Sequence, residues 1–340
     1  MKKILSFTHN LDQDVKRLIS ITIFVFVAMS LMRPKLFLTS NNFTSMGYQI
    51  AELGFFSIAM MMVMVTGGRD LSMVGISNLS GILAAFILHE AFINELSGMM
   101  LFLYIILAII VAVVIGITCG YINGTIISRL GVSPMLVTLG TLNLYTGIGI
   151  ILTKAEAISM FPKEFLYLGN NAFIGIPIPL ILLIGALVAT AVILNKTRYG
   201  FELKFIGSNY KASLFTGMRN EKVLLKTYVY SGLISALIGL EVLARTDSAK
   251  ADFGTNYTFQ AILCAVLGAT HPGGGYAKVS CLTLSLITLQ LLSSGFSMLR
   301  LGGYFKEFAW GLILIAALSA NYLFEQRKLK KSLNIDIKSN

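Results

Sequence analysis

Long apolar segments separated by short polar ones make up most of this chain. Runs without Asp, Glu, Lys or Arg extend from Leu96 to Ser128, from Leu130 to Thr153 and from Phe165 to Asn195. A helix of roughly 20 apolar residues crosses the hydrocarbon core of a bilayer, because 1.5 Å per residue then covers about 30 Å. The strands of a membrane barrel would alternate with period two, and these runs do not.

The pattern predicts an all-α fold, a polytopic transmembrane helical bundle of about ten spans. The predicted spans lie near residues 16–36, 48–66, 70–89, 97–127, 133–153, 177–195, 226–246, 256–270, 276–298 and 304–324. Composition agrees, since 56% of the 340 residues are hydrophobic and only 13% are charged, about half the charged fraction of a soluble domain. No linker separates a second unit, so we expect a single transmembrane domain over residues 1–340.

Charge predicts the orientation. The loop at 196–226 carries seven Lys or Arg and two acids, and the net charge of the chain is +11. Cytoplasmic loops of membrane proteins are enriched in Lys and Arg. With both termini inside, nineteen of the 27 basic residues fall on the inner side, and the reverse orientation inverts this ratio. The N-in, C-in topology accounts for the charge, so no nucleic acid partner is expected.

Two glycine-rich segments adjoin predicted spans. They read TGGRDLS from Thr66 to Ser72 and GATHPGGG from Gly268 to Gly275. Non-helical backbone is tolerated at membrane depth only when it is buried in protein or lines a watery cavity. Both segments are therefore candidates for broken or re-entrant elements, with an ordinary tight inner loop as the alternative.

The two large loops have different predicted roles. In the basic loop, Asn209 is a good N-cap, residues 210–216 can form two helical turns, and Gly217 suits the position after the helix. Tyr210, Leu214 and Phe215 would give this helix an apolar side. It is either a coupling helix that fits a socket on a partner or a helix lying on the membrane surface. The outer loop at 154–176 is either a docking site for an external partner or a plain connection.

Motifs for catalysis are absent from the sequence. It contains no HExxH, no GxSxG and no Walker A motif, so we expect no enzyme activity, and energy from ATP would have to come from a partner. Cys119, Cys264 and Cys281 form no CxxC pair, and no metal or cofactor is expected.

Two acids lie within predicted spans and support an alternative function, an ion-gradient-driven secondary carrier or channel. Glu52 is within about a turn of the start of its span, which predicts an interfacial position. Glu241 lies near an outer end before Arg245, which predicts a vestibule or a salt-bridged edge. Neither acid has an obvious basic partner at its own depth.

Uncharged polar and aromatic residues are candidates for a solute pathway. Amides can hydrogen-bond a neutral polyol and aromatic rings can stack on sugar faces, although hydrogen bonding and packing between helices are the alternative for each of them. The candidates are Asn78, Asn123, Asn143, Tyr145, Phe259, Gln260, Gln290 and Phe296.

Four ordered motifs resemble one family, the permease subunits of ribose-type bacterial ABC importers, which include xylose, galactose and autoinducer-2 systems. TGGRDLS is similar to that family's TGGIDLS signature, and GYING with GVSPMLVTLGT is similar to its NG and PFIVTLGT segments. The basic loop contains a G-x-N-x-x-A core at Gly207, Asn209 and Ala212, and YTFQAILCAVLGATHPGGG is similar to AIAAVVLGGTSLxGGxG. The match covers roughly residues 50–315. Departures are Arg69, the Gly207-Ser208 pair, and His271-Pro272.

The resemblance implies a multi-pass permease of the bacterial inner membrane that imports a monosaccharide or a sugar-like solute. It implies cytoplasmic ATPase subunits, a periplasmic or lipid-anchored solute-binding protein, and a second permease copy or paralogue in the lipid bilayer. The residues implied in coupling to the ATPase are Gly207, Asn209, Tyr210, Ala212, Leu214, Phe215 and Gly217. The motif segments around Asp70 and from Gly268 to Gly275 are implied to shape inner gating elements. The residues of the gating or family-motif segments are Thr66, Gly67, Gly68, Asp70, Asn123, Gly124, Gly268, Gly273 and Gly274.

Overall fold

The computed structural model describes residues 12–319, and this part of the chain is predominantly helical. The helices are α1 (Gln13–Met32), α2 (Pro34–Phe37), α3 (Ser40–Met64), α4 (Met73–Ile93), α5 (Gly98–Arg129), α6 (Pro134–Thr153), α7 (Lys163–Asn170), α8 (Ile178–Lys196), α9 (Arg198–Ser208), α10 (Tyr210–Phe215), α11 (Asn220–Thr246), α12 (Tyr257–Leu267), α13 (Val279–Met298) and α14 (303–319).

Two small antiparallel strand pairs accompany the helices. They are β1 (Ile158–Ser159) with β4 (Ser248–Ala249), and β2 (Ala172–Phe173) with β3 (Ile176–Pro177). Both lie in the connections before α8 and after α11, at the predicted outer side. The predicted all-α, polytopic bundle is confirmed.

Eight of the helices are long and apolar enough to cross a membrane, namely α1, α3, α4, α5, α6, α8, α11 and α13. They correspond to eight of the ten predicted spans. The predicted span 256–270 is instead the 11-residue helix α12, which covers about 16 Å, or half of a bilayer core. The predicted span 304–324 is helical as far as residue 319, and the rest lies outside the described residues.

The centre of the bundle is formed by α3, α4 and α11. α11 packs along α5, α4 and α3, and nearly all of the second half of α3 is buried. The peripheral helices instead expose large apolar side chains, such as Phe24, Met99, Leu136 and Ile151. A soluble protein does not expose so much continuous apolar surface, and lipid is the solvent that suits it.

Glycines allow α5 and α11 to touch along their backbones. A Cβ added at Gly116 would lie 2.4 Å from the Gly232 carbonyl oxygen, and one added at Gly232 would lie 2.1 Å from the Gly116 oxygen. One turn away, a Cβ at Gly120 would lie 2.3 Å from the Tyr228 oxygen. Small residues at this spacing permit close approach where no hydrophobic force drives helices together. Packing is thus the role of these three glycines.

Candidate functional site

Three of the sequence motifs meet at one point, which we call the glycine junction: Val65, Gly67, Gly207, Gly274 and Gly275. The Gly275 amide donates a hydrogen bond to the Val65 carbonyl oxygen over 2.8 Å. A Cβ added at Gly207 would lie 1.8 Å from that same oxygen and 2.4 Å from the Gly275 nitrogen. One added at Gly274 would lie 2.7 Å from the Gly67 nitrogen. The last turn of α9 therefore contacts both glycine-rich loops through backbone atoms.

The glycines of the junction serve two different needs. Gly67, Gly274 and Gly275 have φ of +83°, +93° and +83°, a region that disfavours side chains. Gly207 lies in a helix and is required only by the close approach. Gly273 adds a contact of the same kind, because its carbonyl oxygen would lie 3.1 Å from a Cβ at Gly67.

A buried carboxylate holds the loop between α3 and α4. Asp70 Oδ1 accepts hydrogen bonds from the Ser72 amide (3.0 Å) and the Ser72 hydroxyl (2.6 Å), and Oδ2 accepts one from the Ser231 hydroxyl (2.7 Å). The Asn123 amide nitrogen donates to the Ser72 hydroxyl over 2.8 Å, and the Tyr145 hydroxyl donates to Asn123 Oδ1 over 3.3 Å. This Asp70 network links the loop to α5, α6 and α11.

Burial and hydrogen bonding have opposite effects on the pKa of the Asp70 carboxyl. The side chain is fully buried, and burial raises the pKa of its carboxyl above the ordinary value, while the hydrogen bonds from Ser72 and Ser231 act in the opposite direction. A buried acid without a basic partner is costly unless its oxygens are satisfied. Three donors satisfy them, so the loop is fixed by this side chain.

The remaining motif residues line the same region without joining the network. The Thr66 hydroxyl donates to the Val63 oxygen over 2.7 Å and accepts from the Gly68 amide over 3.4 Å. Gly124 packs on Leu225 of α11. Gly268 ends α12, where a Cβ would lie 2.8 Å from the Cα of Leu282 in α13. Both glycine-rich segments are irregular. The segment at 66–72 is largely buried, whereas most residues of the segment at 268–275 are partly or fully exposed. Their interpretation as broken or re-entrant elements stays a prediction.

The short helix predicted in the basic loop is confirmed as α10. Asn209 caps it, because its side-chain oxygen accepts from the Ala212 amide over 2.9 Å, and Gly217 follows it with φ of +74°. The helix ends at Phe215, one residue earlier than predicted. The Asn220 side chain donates to the Ser213 hydroxyl over 2.6 Å and attaches α10 to the start of α11.

The apolar side of α10 faces away from the protein. Tyr210 and Leu214 are about half exposed, and Phe215 is 92% exposed. An exposed apolar cluster of this kind suits contact with a protein or with lipid rather than with water alone. We call it the α10 apolar face.

Sequence reasoning missed α9, which connects the α10 apolar face to the glycine junction. Local signals for it exist. The Thr197 hydroxyl accepts from the Gly200 amide over 3.1 Å as an N-cap, and Arg198 pairs with Glu202 one turn later over 2.7 Å. An N-cap and an ion pair between residues four apart both indicate a helix. The high charge of the loop favoured an irregular segment instead.

The candidate pathway residues fall into two groups. Phe259 and Gln260 line a cavity of about 150 Å³ together with Glu307 and Trp310, and the Phe296 ring lies 5.9 Å from that of Trp310. These three candidates converge at the open edge of the bundle formed by α12, α13 and α14.

The other candidates do not reach this cavity. The Asn78 side chain donates to the carbonyl oxygens of Ala251 and Phe253, and Tyr145 and Asn123 belong to the Asp70 network. Gln290 donates to Gln49 over 3.0 Å. Asn143 lies on the exposed face of α6 and donates to the Leu139 oxygen of its own helix.

The expected interfacial position of Glu52 is wrong. α3 begins at Ser40 and not near residue 48, because Thr39 caps it by accepting from the Asn42 amide. Glu52 therefore lies in the middle of the helix and is fully buried. It also has a basic partner, since its carboxylate forms an ion pair with Arg245 and accepts a 2.5 Å hydrogen bond from the Tyr257 hydroxyl.

Comparisons with known proteins show the family of the chain. The family described as "branched-chain amino acid transport system / permease component" matches residues 42–319. The chain is 32% identical over 293 residues to the ribose import permease protein of Bacillus subtilis (86% of this chain, 87% of the relative). It is 25% identical over 328 residues to the L-arabinose transport system permease protein of Escherichia coli (96% and 94%).

A third relative, the autoinducer 2 import system permease protein of Photorhabdus temperata, is 27% identical over 271 residues (78% of each chain). No solved structure matches the chain. The family match spans most of the sequence, from the first turn of α3 to residue 319, and the matches to the relatives cover most of the relatives' own lengths. The chain therefore belongs to this transport permease family, as a ribose-type ABC permease subunit of the bacterial inner membrane.

Proposed function

We propose that this chain forms the membrane channel of an ATP-driven, binding-protein-dependent importer for a monosaccharide or a sugar-like solute. A separate cytoplasmic ATPase hydrolyses ATP, and the α10 apolar face inserts into a groove of that ATPase. The relatives named for ribose and L-arabinose support the solute class. Both termini and the loop at 196–226 lie in the cytoplasm in this proposal.

The glycine junction is the observation that carries the proposal. α10 follows α9 after the single residue Asn209, and the last turn of α9 touches both glycine-rich loops through backbone atoms. In this contact backbone atoms touch backbone atoms directly, with no side chain between them. A displacement of α9 would therefore pass to the loops with little loss, because closely packed protein interiors do not deform continuously. Movement of the ATPase would thus reach the loop at 65–72 and the loop at 268–278 together.

The outer connections provide a surface for the solute-binding protein. The loop before α8 is held against α11, because the Asn170 side chain donates to the Ala244 oxygen over 2.7 Å and Asp247 accepts from the Phe161 amide over 2.9 Å. The tip of the β2–β3 hairpin leaves Phe173 and Ile174 exposed. A rigid base with an exposed apolar tip suits a transient protein contact.

The solute pathway lies along the edge formed by α12, α13 and α14. Phe259 is 64% exposed there, beside Gln260 and Trp310. Aromatic rings with a few hydrogen-bonding groups are typical of small-molecule sites. A second permease copy placed against this edge would close the pathway between two such surfaces.

Replacing the most exposed residue of the α10 apolar face should uncouple the transporter. We expect Phe215→Asp to lower ATP-driven uptake at least tenfold in proteoliposomes that contain the ATPase and the binding protein. The reason is that a carboxylate replaces an apolar anchor at a protein interface. Because Phe215 makes almost no contact within its own chain, the thermal unfolding midpoint should stay within about 1 °C.

Binding of the purified ATPase should weaken in Phe215→Asp as well. Phe173→Asp in the outer hairpin is the matched control for that binding measurement, since it also places a charge at an exposed aromatic position but on the proposed outer side, where ATPase binding should not change. Normal uptake by Phe215→Asp would contradict the assignment of α10. Uptake driven by an ion gradient without the ATPase would contradict the whole proposal and favour the secondary carrier.

A further inference from the structure

A long apolar groove runs along α11, and none of its lining residues belongs to the glycine junction. It has a volume of about 440 Å³, and its walls are α11, α8 and the short helix α7, with Phe55 of α3 and Ile109 of α5 also lining it. On α11 the lining residues recur at helical spacing from Tyr230 to Ala244. On α8 the wall includes Leu182 and Gly185, which are exposed toward the lipid.

A single carboxyl group interrupts the apolar lining. Glu241 lines the groove near one of its ends, is 7% exposed, and has no hydrogen-bond partner on either oxygen among residues 12–319. The only other lining side chain with a polar atom is Tyr230, whose hydroxyl already pairs with that of Thr190 over 2.8 Å. Glu241 is thus the one lining group in the described chain that is free to bind a polar ligand.

When both Glu241 and Glu52 are ionised, the charges around Glu241 leave one negative charge without compensation. Arg245 lies one turn later on α11 and Glu52 faces it from α3, and these two form an ion pair. Tyr257 of α12 donates to the same Glu52 carboxylate. With both acids ionised, one guanidinium faces two carboxylates. A buried carboxylate without a partner is strongly unfavourable, so a cation that enters the groove would be stabilised there.

The length of the groove selects the kind of cation. From Tyr230 to Ala244, fourteen steps of 1.5 Å give about 21 Å, which exceeds the roughly 15 Å thickness of one leaflet's hydrocarbon. A small inorganic cation would leave this apolar length unfilled. A molecule with an ammonium group at one end and an acyl chain along the rest would fill it, and Glu241 lies only five residues from the end of α11.

We propose that this groove binds a membrane lipid with a primary ammonium headgroup, whose ammonium group forms a charge-assisted hydrogen bond with Glu241 while one acyl chain lies along α11. The site is separate from the glycine junction and from the proposed solute pathway. The lipid would fill the space between α8 and α11, the helices that precede and follow the proposed coupling segments α9 and α10.

The test is native mass spectrometry of the full chain in its transporter complex, titrated with palmitoyl-oleoyl phosphatidylethanolamine or with the phosphatidylglycerol of the same chains. We expect at least a tenfold preference for the amine lipid. Glu241→Gln should reduce that preference to within twofold, whereas Glu90→Gln, a matched change at an exposed acid, should preserve it.

A second variant keeps the test decisive if Glu241→Gln folds poorly. Gly185 lines the groove, and a Cβ added there meets no atom within 4 Å, so the position has room for a side chain. Gly185→Phe should occupy part of the groove and abolish the preference. Equal binding of both lipids by the unmodified chain would overturn the proposal and indicate a groove for acyl chains alone. Retention of the preference by Gly185→Phe or by a folded Glu241→Gln would overturn it as well.

Discussion

Gly207→Val should abolish ATP-driven uptake, with at least a hundredfold loss, while the chain still inserts and binds its ATPase. A Cβ at this position would lie 1.8 Å from the Val65 oxygen and 2.4 Å from the Gly275 nitrogen, and both are backbone atoms that cannot rotate away. α9 must therefore move off the two loops. The measurement is uptake and ATP hydrolysis in the same proteoliposomes, with hydrolysis expected to continue without transport.

Gly140→Ala is the matched control for this loss. Gly140 lies within α6, and a Cβ added there meets nothing within 4 Å. Alanine is favoured over glycine inside a helix by about 1 kcal/mol, so this variant should transport normally and be as stable as the unmodified chain or slightly more so. Normal uptake by Gly207→Val would show that the junction does not transmit movement.

Asp70→Ala should be the most destabilising single change in the loop between α3 and α4. It removes the acceptor of the Ser72 amide, the Ser72 hydroxyl and the Ser231 hydroxyl. An unsatisfied buried donor costs about 1–3 kcal/mol, and the hydroxyls can turn toward other acceptors, so we expect a loss of about 3 kcal/mol in the free energy of unfolding. Thermal unfolding of the purified complex measures it, and uptake should fall with it.

Two further variants distinguish the loss of the Asp70 hydrogen bonds from the loss of a negative charge. Asp70→Asn keeps one acceptor oxygen, so its loss should be smaller than that of alanine. Asp252→Ala changes an exposed acid and should leave the unfolding midpoint unchanged. If Asp70→Ala unfolds at the temperature of the Asp252 variant, the network does not hold the loop.

Much of the fold is predictable because the spans and the caps are local signals. Apolar length located eight spans, and the Asn209 and Gly217 pattern located α10 almost to the residue. The predicted start of α3, near residue 48, is wrong because polar residues such as Ser40, Asn41 and Asn42 form its first turn. A hydropathy pattern does not detect a helical turn made of polar residues. The same error placed Glu52 at an interface.

The meeting of the motifs is not predictable from the sequence. Gly67, Gly207 and Gly274 are separated by 140 and 67 positions, and nothing local indicates that their backbones touch. Likewise, Phe259, Gln260 and Phe296 converge around Trp310, whereas Asn78 and Gln290 have partners elsewhere. Only the packing of helices decides which polar side chains face the same space.

The α10 apolar face and the glycine junction differ in how freely their residues can be substituted. The α10 apolar face consists of exposed side chains, which can change without disturbing the helix behind them. The junction depends on the lack of side chains at Gly207 and Gly274, so it tolerates little variation. In the proposed mechanism, a duplicated copy of this gene could therefore come to bind a different ATPase through changes in a few surface residues, while the backbone contact between α9 and the two glycine-rich loops stays the same.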